Sequence, residues 1–269
     1  MIGFLIAAAV AAMAYTLSLM GRRYHPQMRK LRGWLYAHRG LHGSGRPENS
    51  MAAFSAALER GYGIELDIHL MKDGNLAVIH DASLLRTADA DVRIEDLTTE
   101  DLKNYPLEGT QQLIPLFSQV LELYAGKAPL IVELKPEGGN QAALCEAACK
   151  LLEGYKGAYC IESFHPACIA WLKKNRPEEI RGQLAENFFK SEKCNLPWHI
   201  KFAMTSHILN FLSRPDFIAY RFSDRNSLGT WLCRKLWGIQ GVSWTIKSKE
   251  DLDTALKEGW IPIFEGFEP

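Results

Sequence analysis

Three polar side chains alternate with apolar ones in one short stretch of the chain. The segment Ile64–Leu70 reads IELDIHL, so every second residue is polar. Side chains two positions apart on a strand point the same way, and Glu65, Asp67 and His69 therefore share one face. Two carboxylates and an imidazole can bind a cation or transfer protons, but a half-buried strand can also carry a polar face that is simply wetted. The rest of the chain has to decide between these interpretations.

Further polar residues follow the ends of other strand-like runs. They are His38, Arg39, His80, Asp81, Glu133 and Lys135. Each alone is compatible with a solvated residue at a strand end. Three carboxylates without softer ligands favour a hard cation, Mg²⁺ or Ca²⁺, over zinc. Two histidines that titrate near neutrality suit an acid/base pair.

The elements that must position these residues alternate between strand-like and helical patterns. The strand-like runs are Trp34–Ala37, Gly63–Ile68, Leu76–Ile79, Leu130–Leu134, Ala158–Ser163, Ile180–Leu184, Phe217–Arg221, Gly241–Thr245 and Trp260–Phe264. The helical patterns are Asn49–Arg60, Gly139–Glu153, Pro166–Asn175, Leu228–Trp237 and Lys249–Glu258. This alternation is typical of a parallel sheet.

The number of strands favours a closed barrel. If Leu76–Ile79 extends the second strand, the chain has eight strands in about 250 residues, which predicts a TIM (β/α)8 barrel with its chemistry at the carboxyl ends of the strands. The segment 82–127 is too long for one connection, and we predict that it forms a small cap inserted after the second strand. The barrel domain would then span residues 34–269.

The amino-terminal segment is strongly apolar. Ile2–Met20 holds 19 residues without a charge, close to the roughly 20 that a membrane-spanning helix needs. A signal peptide would begin with a basic region and have a shorter apolar core, and polar residues would interrupt a helix of a soluble core. We therefore predict that residues 1–20 form a retained transmembrane anchor, in preference to these two alternatives.

Charge is distributed unevenly along the chain. Residues 21–33 contain five basic residues and no acid: Arg22, Arg23, Arg29, Lys30 and Arg32. Read as a juxtamembrane linker, they predict a single-pass protein of the cell membrane with its catalytic domain in the cytoplasm. The other 26 basic residues face 31 acidic ones, a net charge of −5 for the remainder of the chain. An acidic body argues against a nucleic-acid partner, which would require a basic surface.

At the polar positions the sequence resembles the glycerophosphodiester phosphodiesterase family. The matching text is AHRGLHGSGRPENSMAAF, IELDIHLMKDGNLAVIHDASLLRTAD, IVELK and VSWTI, over about residues 34–267. The resemblance implies a TIM barrel with a small cap and the hydrolysis of glycerophosphodiesters to an alcohol and glycerol 3-phosphate. It implies one divalent cation, Mg²⁺ or Ca²⁺, held by Glu65, Asp67 and Glu133. It also implies His38 and His80 as general acid and base, with Arg39, Lys135 and Trp244 binding the small-molecule phosphodiester.

Some positions depart from the family pattern. They are Ser50, Met71, the block after Pro115, Lys247 and Glu265. We expect that none of them touches the metal or acid/base residues. His42 and His69 lie close by in sequence and are interpreted either as pocket-rim or as structural residues.

Two other functions remain open. The same chemistry could act on a lysophospholipid, with the membrane anchor and the stretch Leu196–Leu212 lying on a bilayer, although that stretch also fits a barrel helix. A non-catalytic sensor that binds phosphodiesters would be favoured if a metal ligand or a histidine of the pattern were missing, and none is.

Overall fold

Nine strands and ten α-helices, with several short 3-10 helices, form the fold in the part of the chain that the structure describes. The computed structural model describes residues 1–22, 24–43, 45–191 and 194–269; Arg23 of the predicted linker lies outside them. The strands are β1 (Tyr36–His38), β2 (Gly63–Leu70), β3 (Leu76–Val78), β4 (Leu130–Leu134), β5 (Tyr159–Ser163), β6 (Arg181–Ala185), β7 (Phe217–Arg221), β8 (Gln240–Ile246) and β9 (Trp260–Phe264). The helices are α1 (Ile2–Ser18), α2 (Met51–Glu59), α3 (Leu85–Ala88), α4 (Phe117–Tyr124), α5 (Gln141–Leu152), α6 (Pro166–Asn175), α7 (Trp198–Thr205), α8 (Asn210–Ser213), α9 (Leu228–Trp231) and α10 (Lys249–Lys257).

Eight of the strands close into a parallel barrel. Its order is β1, β2, β4, β5, β6, β7, β8 and β9, and β1 pairs with both β2 and β9. The predicted TIM barrel is confirmed. The ninth strand, β3, lies outside the barrel and pairs antiparallel with β2, so the run Leu76–Ile79 forms a hairpin return instead of extending the second strand. The hairpin brings the chain after β3 back toward the carboxyl ends of the barrel strands.

The lower half of the barrel interior, toward the amino-terminal ends of the strands, is apolar. Its side chains come from alternate positions of the strands and form one buried cluster that includes Tyr36, Ile131, Phe217, Val242 and Ile263. Close packing of these rings requires glycine at a neighbouring position, because a Cβ at Gly182 would lie 2.1 Å from the Phe217 ring. The barrel is therefore a filled core at this end, and chemistry is confined to the other end.

The outer layer follows the predicted helices closely. Helix α2 begins after Ser50, whose hydroxyl accepts a hydrogen bond from the Ala53 amide at 3.1 Å, as expected of an N-cap. Ser50, one of the departures from the family pattern, therefore has a structural role as the cap of this helix. The predicted helix Leu228–Trp237 is divided into α9 and one π-helical turn, Leu232–Leu236.

The segment after β3 contains both a small separate core and a barrel helix. The separate core is formed by Met71, Ala77, Ile79, Leu84, Ile94, Leu97, Leu102, Leu107 and Ile114. Met71 is buried there, which gives its apolar side chain a packing role. Helix α4 instead packs Phe117, Val120 and Tyr124 into the main core between barrel and helices. The limits 82–127 of the cap stay a prediction.

The predicted transmembrane anchor at Ile2–Met20 is wrong. Within the described ranges, no helix combines the length and the apolar character needed to cross a bilayer. Helix α1 has 17 residues, which at about 1.5 Å per residue extend about 26 Å against a hydrocarbon thickness of about 30 Å. The last residues of the apolar run leave the helix, and Leu19 is buried against the barrel. The predicted localisation as a single-pass membrane protein fails with it.

The residues predicted as a basic linker pack beneath the barrel. Arg22 donates hydrogen bonds from Nε and Nη2 to the Asp216 carboxylate, each at 2.5 Å. Met28 and Leu31 are buried in the lower barrel cluster next to Tyr36. These contacts attach the segment before β1 to the amino-terminal ends of the strands, at the face opposite the polar residues.

Candidate active site

The polar residues inside the barrel lie two positions closer to the carboxyl ends of the strands than the apolar residues of its interior. Side chains two positions apart on a strand face the same way, so His38 lies above Tyr36 and Glu133 above Ile131 on the inner face. Glu65 and Asp67 occupy the same inner face of β2, in register with His38 and Glu133 of the flanking strands. The wetted-face interpretation of β2 is wrong, because these carboxylates are buried.

Glu65, Asp67 and Glu133 form a compact carboxylate cluster. One oxygen from each lies within 4.8 Å of those of the other two. Asp67 Oδ1 and Glu133 Oε1 are buried, and neither accepts a hydrogen bond of good geometry from any described residue. A buried set of carboxylate oxygens without softer donors matches the ligand preference of a hard divalent cation. The cluster can therefore hold a divalent metal ion.

Crowding of negative charge perturbs the cluster. Burial and the charges of Asp67 and Glu133 raise the pKa of Glu65 well above its usual value. Burial also raises the pKa of Glu133 to about 7, against the opposing charge of Lys135. Asp67 behaves differently: although burial opposes its ionisation, Lys135, His80 and Arg39 hold its pKa well below the usual value. Without a cation, the cluster keeps one firmly ionised member and two that are readily protonated.

Two cationic side chains border the carboxylates. Lys135 Nζ lies 2.8 Å from Glu133 Oε1 and 3.1 Å from Asp67 Oδ1. Arg39 places Nε 3.3 Å from Asp67 Oδ2 and donates from Nη1 to Glu48 Oε1 at 3.0 Å. Both side chains are mostly buried, so their charges are poorly screened at this end of the barrel.

His38 stands at the end of β1 beside the cluster. Its Nε2 lies 3.8 Å from Glu65 Oε2, and its Nδ1 lies 3.2 Å from Glu265 Oε2. Burial lowers the pKa of His38, while the contact with Glu265 works in the opposite direction. The expectation that the departures from the family pattern avoid the acid/base residues is therefore wrong for Glu265.

His80 reaches the site from the hairpin after β3. Its Nδ1 lies 2.7 Å from Asp81 Oδ1, and its ring is part of the wall of a cavity that Glu133 and Lys135 also line. Burial lowers the pKa of His80, and Asp67 and Asp81 oppose this shift. The structure thus brings the second histidine to the cavity beside Glu133 and Lys135.

Trp244 lies at the upper end of β8. Its ring packs edge-on against Phe164, with centroids 5.6 Å apart, and the Arg221 guanidinium lies 5.4 Å from its centroid. The indole Nε1 is buried and finds no hydrogen-bond acceptor among the described residues. A donor in that position is suited to a ligand oxygen.

Comparison with known proteins identifies the family of this chain. The profile of the "Glycerophosphoryl diester phosphodiesterase family" matches residues 38–201. A glycerophosphodiester phosphodiesterase of Caldanaerobacter subterraneus is 30% identical over 238 residues, which cover 83% of this chain and 89% of that protein. The chain belongs to the glycerophosphoryl diester phosphodiesterase family. The predicted family and the predicted enzyme class, a phosphodiesterase, are confirmed.

Other relatives are similar over shorter or more distant matches. A lysophospholipase D of Rattus norvegicus is 33% identical over 133 residues, 45% of this chain and 41% of that protein. A phosphodiesterase of Oleispira antarctica, solved in complex with the product sn-glycerol-3-phosphate, superposes with a TM-score of 0.69 at 22% identity, over 86% of this chain and 92% of that chain. A Silicibacter pomeroyi structure gives a TM-score of 0.72 at 19% identity, over 90% and 94% of the two chains. At these identities the structures support the barrel fold alone.

Sequence reasoning missed two buried polar residues of this candidate site. Asn49 donates from Nδ2 to Asp67 Oδ2 at 2.8 Å and fixes that carboxylate. Glu162 is paired in register with Glu133 on the neighbouring strand and is 1% exposed. Burial, together with the charges of Glu133 and Asp67, raises its pKa well above the usual value. The sequence could have indicated Glu162, because it lies two residues after Cys160 and therefore shares the inner face of β5.

A chain of ion pairs that the sequence did not reveal connects the two histidine sides of the site. Glu48 accepts from Arg39 and, at 2.6 Å, from Arg86 Nη2. Arg86 Nε also donates to Asp81 Oδ2 at 2.5 Å, and Asp81 contacts His80. The network holds His80 through its neighbour.

The two ambiguous histidines have different surroundings. His69 is buried, with Nδ1 2.7 Å from Glu95 Oε1, and joins β2 to the segment after the hairpin. His42 is partly exposed, with Nε2 3.5 Å from Glu265 Oε1, at the rim next to His38.

Proposed function

We propose that this enzyme hydrolyses glycerophosphodiesters to an alcohol and glycerol 3-phosphate, using a divalent cation, Mg²⁺ or Ca²⁺, and a pair of histidines. The observation that carries the proposal is the cluster of Glu65, Asp67 and Glu133, with donor oxygens within 4.8 Å of one another, between His38 and the cavity of His80. The family and the substrate named for its relatives support the choice of substrate.

The residues have different roles in the proposed hydrolysis of a phosphodiester. A phosphodiester anion resists attack because of its negative charge, and the cation held by the three carboxylates would neutralise charge on the phosphoryl oxygens. Arg39 and Lys135 supply fixed positive charge next to the same position, which stabilises an oxygen that becomes more negative. Trp244 would offer its indole N–H to the bound substrate.

His38 and His80 are proposed to move the protons. One accepts the proton of the nucleophile and the other donates a proton to the departing alkoxide. Glu265 orients His38 and Asp81 orients His80, since each carboxylate lies within 3.2 Å of the Nδ1 atom and leaves Nε2 for the reaction. Burial lowers the pKa of both rings, so a neutral base is available near neutrality.

Hydrolysis is favoured over a sensor that only binds phosphodiesters. A sensor needs charge complementarity to phosphate but has no use for two imidazoles, each with its own orienting carboxylate. Retention of both pairs, beside a complete carboxylate cluster, supports turnover.

The test is an assay of the purified chain, residues 1–269. Glycerophosphocholine, glycerophosphoethanolamine and glycerophosphoglycerol are incubated with the protein and Mg²⁺ or Ca²⁺, and glycerol 3-phosphate is measured. We expect release with a cation, loss of release in excess chelator, and recovery when the cation is restored. Absence of glycerol 3-phosphate with every substrate and both cations, from a folded protein, would refute the proposal. Equal release in chelator would refute the metal assignment alone.

A further inference from the structure

A second cavity, here called the outer cavity, lies on the outside of the barrel. It has a volume of about 420 Å³, within the range of sites that bind a small ligand. Its walls come from helix α9, the π-helical turn that follows it, and the segment that leads from α10 into β9. None of its lining residues belongs to the carboxylate cluster or to the cavity that His80 lines. The proposed hydrolysis therefore makes no use of it.

Positive charge predominates in the outer cavity. Three cations, Arg225, Arg234 and Lys235, line it against one carboxylate, Glu258, which leaves an excess of two positive charges. Glu258 is already engaged, because its two oxygens accept from Arg225 Nε and Nη2 at 3.0 and 3.3 Å. One of these oxygens also accepts from Trp260 Nε1 at 2.8 Å. The uncompensated charge therefore belongs to Arg234 and Lys235, and it favours an anionic ligand.

Arg234 is held in a fixed orientation by contacts that do not neutralise it. It lies in the π-helical turn, and its Cζ stands 3.8 Å from the centroid of the Trp260 ring. Its Nη2 donates to the Glu258 carbonyl at 2.5 Å. Burial lowers the pKa of Arg234, and of the described residues only Glu258 opposes this shift. A half-buried guanidinium with a fixed plane and without a carboxylate of its own is suited to bind an oxyanion.

The helix that carries these two cations also supplies an apolar part of the wall. Leu228 and Trp231 precede Arg234 and Lys235 on the same face, at spacings of three and four residues. Their side chains are 68% and 57% exposed, so the protein itself does not cover them. An inorganic anion bound at Arg234 and Lys235 would leave this part of the wall facing water, whereas an organic group attached to the anion would cover it.

We propose that the outer cavity binds a phosphate monoester, with its phosphate group on Arg234 and Lys235 and its organic group against Leu228 and Trp231. The guanidinium offers a planar set of donors that matches phosphate oxygens, and the ammonium adds a point charge. No bond is made or broken there, and the site is independent of the proposed function. A soluble nucleotide and the head group of phosphatidic acid both present this chemistry, and the choice of probes distinguishes these sources.

The test is isothermal titration calorimetry of the purified chain, residues 1–269, after divalent cations are removed on a chelating resin. The probes are inorganic phosphate, adenosine 5′-monophosphate, and dihexanoyl phosphatidic acid below its critical micelle concentration. We expect at least one ester to bind more tightly than inorganic phosphate, because only the esters reach Leu228 and Trp231, and the preferred ester identifies the source. Trp231→Ala should weaken binding of that ester by about tenfold and leave inorganic phosphate unaffected.

Charge variants separate the outer cavity from non-specific attraction. Arg234→Gln should raise the Kd of every probe at least about tenfold, because a charged hydrogen-bond donor is lost. Lys235→Gln changes an exposed side chain and should raise the Kd by about two- to fivefold. Lys257→Gln is the matched control, because it removes the same charge from an exposed position of α10 that does not line the cavity. It should leave every Kd unchanged.

Three results would overturn the inference. The first is absence of binding of all three probes to the folded wild type at millimolar concentrations. The second is an unchanged Kd in both Arg234→Gln and Lys235→Gln, because the phosphate group would then bind elsewhere, for example beside Arg39 and Lys135. The third is an equal effect of Lys235→Gln and Lys257→Gln, which would report only the net charge of the protein. Equal affinity for inorganic phosphate and both esters would overturn the part assigned to Leu228 and Trp231.

Discussion

The carboxylate cluster makes a prediction that separates stability from activity. In Glu65→Gln the shape of the side chain is kept and one potential charge is removed. Glu65 has the fewest compensating contacts of the three, since Lys135 lies beside Asp67 and Glu133 while Glu65 meets mainly the Arg39 amide, at 3.4 Å, and His38. We expect the variant to be at least as stable as the wild type without cation and to lose most of the stabilisation that a cation provides.

The magnitude follows from the separations in the cluster. At 4.8 Å or less, two carboxylates with an effective dielectric constant of about 20 repel by roughly 3.5 kcal/mol or more. Protonation relieves part of this repulsion, in line with the raised pKa values of Glu65 and Glu133. A cation present at a hundred times its dissociation constant adds about 2.7 kcal/mol. For a domain of this size that corresponds to roughly 5–11 °C in Tm.

The assay is thermal unfolding followed by circular dichroism, in chelator and then in millimolar Mg²⁺ or Ca²⁺. Glu137→Gln is the matched control, because it removes the same charge at the rim of the cavity but outside the cluster. The control should keep the full cation-dependent rise in Tm. If wild type shows no rise, or if Glu65→Gln rises as much as the control, the cluster does not hold the cation.

Three further predictions concern titratable histidines. His38→Gln and His80→Gln should each lower kcat by about 10²–10⁴-fold while keeping the cation-dependent rise in Tm. Wild-type kcat/KM should follow a bell-shaped pH profile whose acid limb lies below about pH 6.5, because burial lowers the pKa of both rings; wild-type rates in either variant would reassign the roles. Burial lowers the pKa of His207 to about 4, so the unfolded chain takes up a proton first as the pH falls and about 3 kcal/mol of stability should be lost between about pH 6.5 and 4. His207→Gln should show a smaller decrease in the free energy of unfolding over that range, measured with urea, and an unchanged decrease would contradict this account.

The barrel and the core of the site were predictable because their signals are local. Glu65 and Asp67 are two residues apart, and Glu133 ends a strand that reads as apolar until that position. Such patterns fix the face of a strand before its partner strands are known. The partners themselves require the fold. Glu265 contacts His38 across 227 residues of chain, and the sequence identified Glu265 only as a departure from a pattern.

The prediction of a transmembrane anchor at the amino terminus failed for a related reason. A hydropathy profile counts apolar residues, but it does not show which of them pack against other parts of the same protein. Trp237 Nε1 donates to the Thr16 carbonyl at 2.7 Å, and Leu19 is buried with Ile218 and Cys233. Residues at the end of the uncharged run thus belong to the surface of the barrel. The apolar side of the cavity next to Lys135 was missed in the same way, because Leu196, Ile200 and Met204 also fit the inner face of an ordinary barrel helix.

The two histidines are placed by different kinds of structure, and this difference has a chemical consequence. His38 lies on a barrel strand, and its orienting carboxylate, Glu265, directly follows the adjacent strand, so both are fixed by the sheet. His80 lies outside the barrel on the return of a hairpin and is held through Asp81 and Arg86. The same hairpin return forms part of the wall of the cavity next to Lys135. A change in the hairpin or in its ion pairs should therefore displace His80, while His38 keeps its place in the barrel.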